Sequence, residues 1–465
     1  MRISAVVLAA GLGTRMKSNI PKVLHKILGK PMIQYIIDTI KSIKPEKLIV
    51  VAGKNIKELK EAVSWQNDII IFVKQTVPKG TGDAALKALP QLKGFTGTVL
   101  IVNGDTPLIT KSTILNFLAL HKKRKNQVSV LSFESKEPSS YGRILRDEKG
   151  RVISIVEQRD ASEEQKKIKE VNSGIYAIEN NALNLLKKIP LNTSKGEYYL
   201  TDIIGIAKSK GFKTDAICIG LEEELTGVNT REELNLAANT MRYRIIKKFL
   251  ESGVTFIDFG STFISPSAQI GHGTTIYPNV IIEGFTTIGE GCTIYPNVRI
   301  VDSEIKDKAI IKDSTLIESS IIKSNAIIGP FAHIRPGSVI CENAKIGNFV
   351  EVKKSIIGQG TKASHLSYLG DAKIGNDVNI GAGTITCNYD GKNKYITTIE
   401  DNVFIGSDTQ LVAPVKIGKG AFVGAGSTIT VNVPPDSLAL SRVEQKNIEG
   451  WALKRRLKEK RNSKK

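Results

Sequence analysis

A run of small residues closes an apolar segment at Leu8-Ala9-Ala10-Gly11-Leu12-Gly13-Thr14-Arg15-Met16, and Pro21-Lys22-Val23-Leu24 follows. Glycines let backbone N–H groups approach a phosphate closely, and an adjoining helix start adds positive potential. Arg15 offers a fork of donors and Lys22 a point charge. The spacing is neither the G-x-x-x-x-G-K-[ST] of a P-loop nor the dinucleotide G-x-G-x-x-G, so this is a phosphate cradle of another kind. A second concentration of reactive groups lies far downstream. Residues 362–371 hold His365 and Tyr368, and residues 386–398 hold Asn388, Tyr389, Asp390 and Gly391. An imidazole with an ordinary pKa of about 6.5 suits a general base near neutrality. Cys218, Cys292, Cys341 and Cys387 lie far apart with no C-x-x-C spacing, so neither a zinc site nor a disulfide framework is signalled.

The elements that must carry these groups differ between the two halves. Isoleucine stands at 264, 270, 276, 282, 288, 294 and 300, and the beat returns as Ile399, Ile405, Leu411, Ile417, Val423 and Ile429. A period of six fits neither helix nor amphipathic strand. It predicts a triangular solenoid of hexapeptides, with each periodic aliphatic residue stacked inward on its counterpart one coil away. Between these blocks Ile305, Ile311 and Ile317, then Ile322, Ile328, Ile334, Ile340, Ile346 and Val352, keep the beat with one-residue slips that corners can absorb. Glycine often follows the aliphatic residue, as at Gly271, Gly347 and Gly406, where the chain turns a corner. A sandwich of ordinary strands would alternate with period two instead. The stretches 362–371 and 386–398 break the pattern and are read as loops, the second protruding, where chemistry is usually placed.

Upstream, from 1 to about 228, β-branched runs at 4–8, 47–51, 69–73, 98–103, 128–133, 153–157 and 174–178 alternate with helical stretches. That alternation predicts a mostly parallel α/β sheet with helices on both faces. Thr230-x-x-Glu233 is a capping box that starts a helix, which Gly253 stops after Ser252. A shorter helix is expected over about 443–461. The expected division is 1–228, a linker helix over 229–252, a prism over 253–442 and a basic end over 443–465.

At 465 residues with a net charge of +20, the chain is too long for one typical core and favours anionic partners. No apolar run approaches the roughly 20 residues of a membrane span. The amino terminus feeds straight into the glycine loop and reads as a buried strand, not a signal peptide, so the cytoplasm is expected. Residues 451–465 carry eight Lys or Arg against one Glu, a solvated basic end; the charge elsewhere suits phosphorylated substrates better than nucleic acid, which is not an expected partner.

The cradle with Arg15 and Lys22 resembles that of the sugar nucleotidyltransferases, which join a sugar 1-phosphate to a nucleoside triphosphate and release pyrophosphate. The resemblance runs on in order through Gln75, Gly80-Thr81-Gly82, Asn103-Gly104-Asp105, Tyr141-Gly142, Glu157, Asn172-Ser173-Gly174 and Gly227-Val228-Asn229. It implies that Leu8 to Gly11 with Gly104 line the nucleotide, that Gln75, Gly80 and Thr81 read the pyrimidine edge, and that Glu157 and Asn172, beside Gly142, hold sugar hydroxyls. Phosphoryl chemistry asks chiefly for charge neutralisation and in-line placement. Asp105, at the end of an apolar strand, suits a Mg²⁺ ion, and Asn229 adds a neutral oxygen. Arg15 and Lys22 carry phosphate charge. Asn103 stands where relatives commonly have an aromatic residue, and Asp83, after the Gly80-Thr81-Gly82 turn, adds an acid with no role assigned.

In the second half, Arg335-Pro336-Gly337, 348–353, 362–371 and Thr386-Cys387-Asn388-Tyr389-Asp390-Gly391 extend the likeness to nearly the whole chain. Together they resemble the bacterial family of bifunctional N-acetylglucosamine-1-phosphate uridyltransferases and glucosamine-1-phosphate N-acetyltransferases. The resemblance implies a Rossmann-like nucleotidyltransferase domain followed by a left-handed parallel β-helix of hexapeptide repeats. It makes His365 the base of acetyl transfer and Arg335, Lys353, Tyr368 and Asn379 the grip on the sugar phosphate. Asn388 and Tyr389 would complete the amine site, and Ala382, Ser407, Ala425 and Arg442 would line an acetyl-CoA channel. Substrates are then glucosamine 1-phosphate, acetyl-CoA, UTP and N-acetylglucosamine 1-phosphate, and a homotrimer with acyl sites between subunits is implied. Two other readings compete: a hexose-1-phosphate nucleotidyltransferase with an inert prism, and a non-catalytic exchange-factor scaffold of translation. A scaffold has no use for His365 and Asn388-Tyr389, nor for Arg15, Lys22 and Asp105 as a set.

Overall fold

The computed structural model describes all residues except 12, 64–69, 139–140, 194–195 and 463–465. Leu12 of the cradle, Ile69 of the expected 69–73 strand and the last three residues of the basic end lie outside the described residues. The chain divides into two compact units, Met1–Ile246 and Lys247–Lys465.

The first unit is built on nine strands: β1 (Ile3–Ala9), β2 (Lys47–Ala52), β3 (Ile70–Lys74), β4 (Thr98–Asn103), β5 (Val128–Glu134), β6 (Arg143–Arg146), β7 (Val152–Val156), β8 (Glu170–Glu179) and β9 (Thr214–Gly220). The order across the sheet is β9-β5-β8-β4-β1-β2-β3, with β6 and β7 attached beside β8. β1 pairs in parallel with β4 and β2, and β2 with β3. β8 runs antiparallel to both β4 and β5. Strand β1 is buried throughout because its two faces belong to different cores. Val6 and Leu8 pack with Ala84, Ala85 and Ala88 of the helix Thr81–Ala88. Ala5 and Val7 pack with Ile33, Ile36, Ile37 and Ile40 of the helix Met32–Ser42. The carboxyl ends of β1 and β4 therefore deliver the cradle and Asn103-Gly104-Asp105 side by side.

The second unit is a left-handed parallel β-helix. Successive short strands go in turn to three sheets of eleven, ten and nine strands. The register stacks Ile276 on Ile294, Ile294 on Ile311, Ile311 on Ile328 and Ile328 on Ile346. These five isoleucines are 0% exposed, so the six-residue beat is the inward position of each strand. The slips fall at corners: Asp302, Ser319, Lys354 and Asp371 turn where one residue is missing, each at a left-handed φ between 41° and 49°. A Cβ on Gly347 would sit 1.9 Å from the Ser364 carbonyl oxygen of the next coil, so only glycine fits that corner.

Two expectations are corrected. Residues 362–371 are not an irregular loop: Lys362–His365 and Tyr368–Gly370 are coil strands in register with Lys345–Asn348 and Glu351–Lys353. The beat is hidden there because Ala363 takes the inward position, stacked between Ile346 and Ile380. The terminal helix spans only Trp451–Asn462, because Gly450 at φ 69° breaks the chain before it. The capping box does head the helix Arg231–Glu251, with Glu233 N–H donating to Thr230 Oγ1 at 3.1 Å and Thr230 N–H to Glu233 Oε2 at 2.9 Å. Residues 386–398 widen one coil, so that Ile380 stacks on Ile405.

Candidate functional site

In the first unit a cleft of about 880 Å³ opens at the carboxyl ends of β1 and β4. Leu8, Ala9, Ala10 and Gly11 form one wall, Gln75, Gly80 and Thr81 another, and Asn103, Asp105, Arg15, Lys22, Glu157 and Asn229 complete it. Gly13, at φ 63°, lets the cradle fold against Lys22, whose Cβ would lie 2.6 Å from any Cβ added there. The Lys22 ammonium meets the Asp105 carboxylate and also reaches Asn229 Oδ1 at 3.0 Å, while Arg15 Nη2 reaches the same oxygen at 2.9 Å. Asn229 is fixed by its own N–H donating to Glu233 Oε2 at 2.5 Å, so the capping box of the following helix holds a cleft residue. Val228 N–H donates to the Asp105 carbonyl at 2.8 Å, which ties the two oxygen-bearing segments together.

Gly104, Gly142 and Asn172 stand outside the cleft lining. Gly104 N–H donates to the Leu8 carbonyl at 2.8 Å and closes β1 on β4. Asn172 Oδ1 accepts from Gly174 N–H at 2.8 Å and the Tyr176 hydroxyl at 3.2 Å, and Asn172 N–H donates to the Gly142 carbonyl at 2.9 Å. Gly142 in turn lies against Glu157, which accepts from Thr201 Oγ1 at 3.2 Å. Sequence reasoning missed Arg159, Asp160, Glu197 and Tyr199, which also line the cleft. The Glu197–Tyr199 segment comes from far along the chain and is tethered by Tyr198 N–H to the Lys79 carbonyl and Leu200 N–H to Thr81 Oγ1. No local pattern announces such a return.

In the second unit the sequence-predicted residues gather around two faces of the prism. Asn348 and His365 are register partners on successive coils, and His365 Nδ1 lies 2.8 Å from Asn348 Oδ1. Ala382, Ser407 and Ala425 continue this line, each two residues past the inward residue of its coil, and Arg442 Nη1 donates to the Ala425 carbonyl at 2.9 Å. Asn379 pairs with Lys362 on the same sheet. Around the corner, Arg335 and Lys353 each follow an inward residue, Ile334 and Val352, that are register partners. Tyr368 pairs with Glu351, which holds Arg335 Nη1 at 2.7 Å and so keeps its guanidinium above the usual arginine range. Lys353 Nζ is 3.4 Å from Asp371 Oδ2, the same oxygen that accepts from Asn388 Nδ2. Tyr389 is exposed, its hydroxyl donating to the Gly391 carbonyl at 2.6 Å. Sequence reasoning also missed Lys394, whose amine is held below the usual lysine range by the neighbouring Lys353.

The donor set around the Lys22 ammonium is one carboxylate, Asp105, and one amide oxygen, Asn229, hard ligands gathered where a cation already sits. Among the described residues no group of three or more His, Cys, Asp or Glu is arranged to hold a metal. A magnesium ion fits such a sparse site, since it keeps several waters and is held largely by substrate phosphates. Among the described residues no helix is long and apolar enough to cross a membrane.

Family models match along the chain: a MobA-like NTP transferase domain over residues 5–168, a GMPPB C-terminal domain over 259–335, and bacterial transferase hexapeptide repeats over 319–354 and 396–430. A curated protein of Thermodesulfovibrio yellowstonii, Bifunctional protein GlmU, is 55% identical over 98% of this chain and 100% of its own length. The chain belongs to the bifunctional GlmU family. Members from Pelobacter propionicus, covering 98% of the chain and 99% of the relative, and from Halalkalibacterium halodurans, covering 97% and 98%, are each 45% identical. Membership of the GlmU family makes the chain a bifunctional transferase, with an NTP transferase unit in front and a hexapeptide transferase unit behind.

Proposed function

We infer that the chain makes UDP-N-acetylglucosamine in two steps: acetyl transfer from acetyl-CoA to glucosamine 1-phosphate in the prism, then uridylyl transfer from UTP to N-acetylglucosamine 1-phosphate in the α/β unit. The observation that carries this reading is the polar network of the prism. A scaffold has no reason to hold Lys353, Asp371 and Asn388 together on one outer corner and to seat an exposed histidine on Asn348 at another.

In the acetyl step Asn348 Oδ1 accepts from His365 Nδ1–H, which leaves the Nε2 lone pair for substrate. The ammonium of glucosamine 1-phosphate gives one proton to Nε2, the amine nitrogen bonds to the thioester carbon, and the C–S bond breaks as the departing sulfur takes the nitrogen's second proton and leaves as coenzyme A. Arg335, Lys353, Tyr368 and Asn379 hold the sugar phosphate, and Asn388 and Tyr389 flank the amine. Ala382, Ser407, Ala425 and Arg442 line the acetyl-CoA path, where small side chains leave room for the pantetheine arm. The acyl site is open on a single chain, which supports a homotrimer in which a neighbouring subunit covers it.

In the uridylyl step a phosphate oxygen of N-acetylglucosamine 1-phosphate attacks the α-phosphorus of UTP and pyrophosphate leaves. Arg15 and Lys22 neutralise the phosphates, Gln75 with the Gly80-Thr81 backbone holds uracil, and Glu157 positions the sugar, with Asn172 supporting that wall through the Gly142 carbonyl. Mg²⁺, held by Asp105 and Asn229, supplies further charge neutralisation on the triphosphate when bound. Lys22 releases Asp105 to bind a phosphate oxygen as substrate enters. These activities suit a cytoplasmic enzyme whose substrates are small phosphorylated molecules.

The test is direct: purified chain with glucosamine 1-phosphate, acetyl-CoA, UTP and Mg²⁺ is expected to release one free thiol and one pyrophosphate per UDP-N-acetylglucosamine. Product formed without thiol release contradicts the reading.

A further inference from the structure

Asp83 has no part in the steps above, yet it is buried, 7% exposed, against a cleft residue that is itself only 3% exposed, Gln75. Gln75 Nε2 donates to Asp83 Oδ2 at 2.7 Å and to the Gly80 carbonyl at 3.2 Å. Both amide hydrogens are therefore taken by protein acceptors. A carboxylate can only accept, so a flipped carboxamide would set Gln75 Oε1 against Asp83 and forfeit the bond. The second Asp83 oxygen faces Lys87 Nζ at 3.6 Å, and the helix Thr81–Ala88 carries both residues, so the acceptor is fixed to the same helix start that walls the cleft.

We propose that Asp83 is a positioning residue for nucleotide choice: it locks the Gln75 carboxamide with Oε1 toward the cleft, so that the base must offer a hydrogen-bond donor there. This rests on the uridylyl reading and deepens it. The pairing edge of uracil carries one donor, N3–H, between two carbonyl oxygens. Cytosine has a lone pair at N3 instead, which would oppose Oε1. A glutamine free to turn could present either end and would distinguish the two bases poorly, whereas a buried acceptor left unpaired penalises the wrong base.

The experiment compares UTP with CTP by pyrophosphate release from the full-length chain, for wild type, Asp83→Asn and Gln75→Glu/Asp83→Asn, with thiol release by the other unit as the control for folding. An asparagine side chain at position 83 can donate or accept, so only the longer 3.2 Å bond to the Gly80 carbonyl still opposes the flipped Gln75 in Asp83→Asn, and the UTP:CTP ratio of kcat/KM is expected to fall by about tenfold or more. In the double variant the carboxamide introduced at position 83 donates to one oxygen of the carboxylate introduced at position 75, and the other oxygen again faces the cleft as an acceptor. The preference for UTP is expected to return. An Asp83→Asn chain that keeps the wild-type ratio overturns the orienting role alone. If that variant does not fold, the double variant decides, and loss of its UTP preference overturns the proposal. A wild type that turns over neither nucleotide overturns the uridylyl reading and this inference with it.

Discussion

His365 Nδ1 stands 2.8 Å from Asn348 Oδ1, and the two residues are register partners on adjacent coils of the prism. The solenoid repeat thus places a hydrogen-bond acceptor directly beneath the imidazole, fixing its tautomer and its ring plane. His365→Ala is expected to lower acetyl transfer by about 10²- to 10⁴-fold, the usual contribution of a general base. Asn348→Ala, which leaves the ring in place but unheld, should lose less, roughly 10-fold or more, as other orienting partners of functional histidines do. Free-thiol release under saturating substrates measures both. Equal activity of wild type and Asn348→Ala would show that the pair does no orienting.

Removal of divalent cations separates the units. With a chelator in excess, pyrophosphate release from UTP is expected to stop, because Arg15 and Lys22 alone cannot offset the triphosphate charge once Asp105 and Asn229 hold no cation. Thiol release should continue unchanged, since the acetyl step is assigned to the His365 base and to the cations Arg335 and Lys353, with no metal in its proposed chemistry. Acetyl transfer that falls in step with the chelator would count against this assignment.

Gly80 tests the shape of the base wall. It sits at φ 92°, and a Cβ there would lie 2.5 Å from the Tyr198 carbonyl oxygen. Gly80→Ala should raise the KM for UTP and cost about 1–3 kcal/mol of stability in the first unit, with acetyl transfer unaffected. Thermal unfolding followed alongside the two activities checks this.

Ile328→Ala tests the stacked core. Ile328 is 0% exposed between Ile311 and Ile346, and the truncation is expected to cost about 2–5 kcal/mol in denaturant unfolding. A loss below about 1 kcal/mol, less than such a truncation ordinarily costs, would mean that the periodic residues are not the main support of the prism.

Much of this architecture is legible because a solenoid writes its inward position into the sequence at fixed intervals. The periodic residues from Ile264 through Val352 are placed by spacing alone, and so are the cradle at Gly11 and Gly13 and the capping box at Thr230. What escapes such reading does so for physical reasons. Ala363 fills the inward position with a methyl group, so the strand that carries His365 looks like a loop in sequence. Strand β9, Thr-Asp-Ala-Ile-Cys-Ile-Gly, lies at the sheet edge with only Ala216 and Ile217 buried, so its pattern is weak. The antiparallel sense of β8 is set by long-range pairing and leaves no local mark. Tyr199 and Lys394 reach their sites from a returning segment and from the 386–398 insertion, where spacing carries no information.

The central claim, two independent active sites on one polypeptide, is tested most directly by mixing two disabled chains. Asp105→Ala alone is expected to release thiol but make no UDP-N-acetylglucosamine from glucosamine 1-phosphate, and His365→Ala alone to make none from that substrate yet to convert N-acetylglucosamine 1-phosphate normally. Mixed after separate purification, they should together restore UDP-N-acetylglucosamine synthesis from glucosamine 1-phosphate, acetyl-CoA and UTP. A mixture of folded chains that makes no product, or a single variant that loses both activities, would contradict the account.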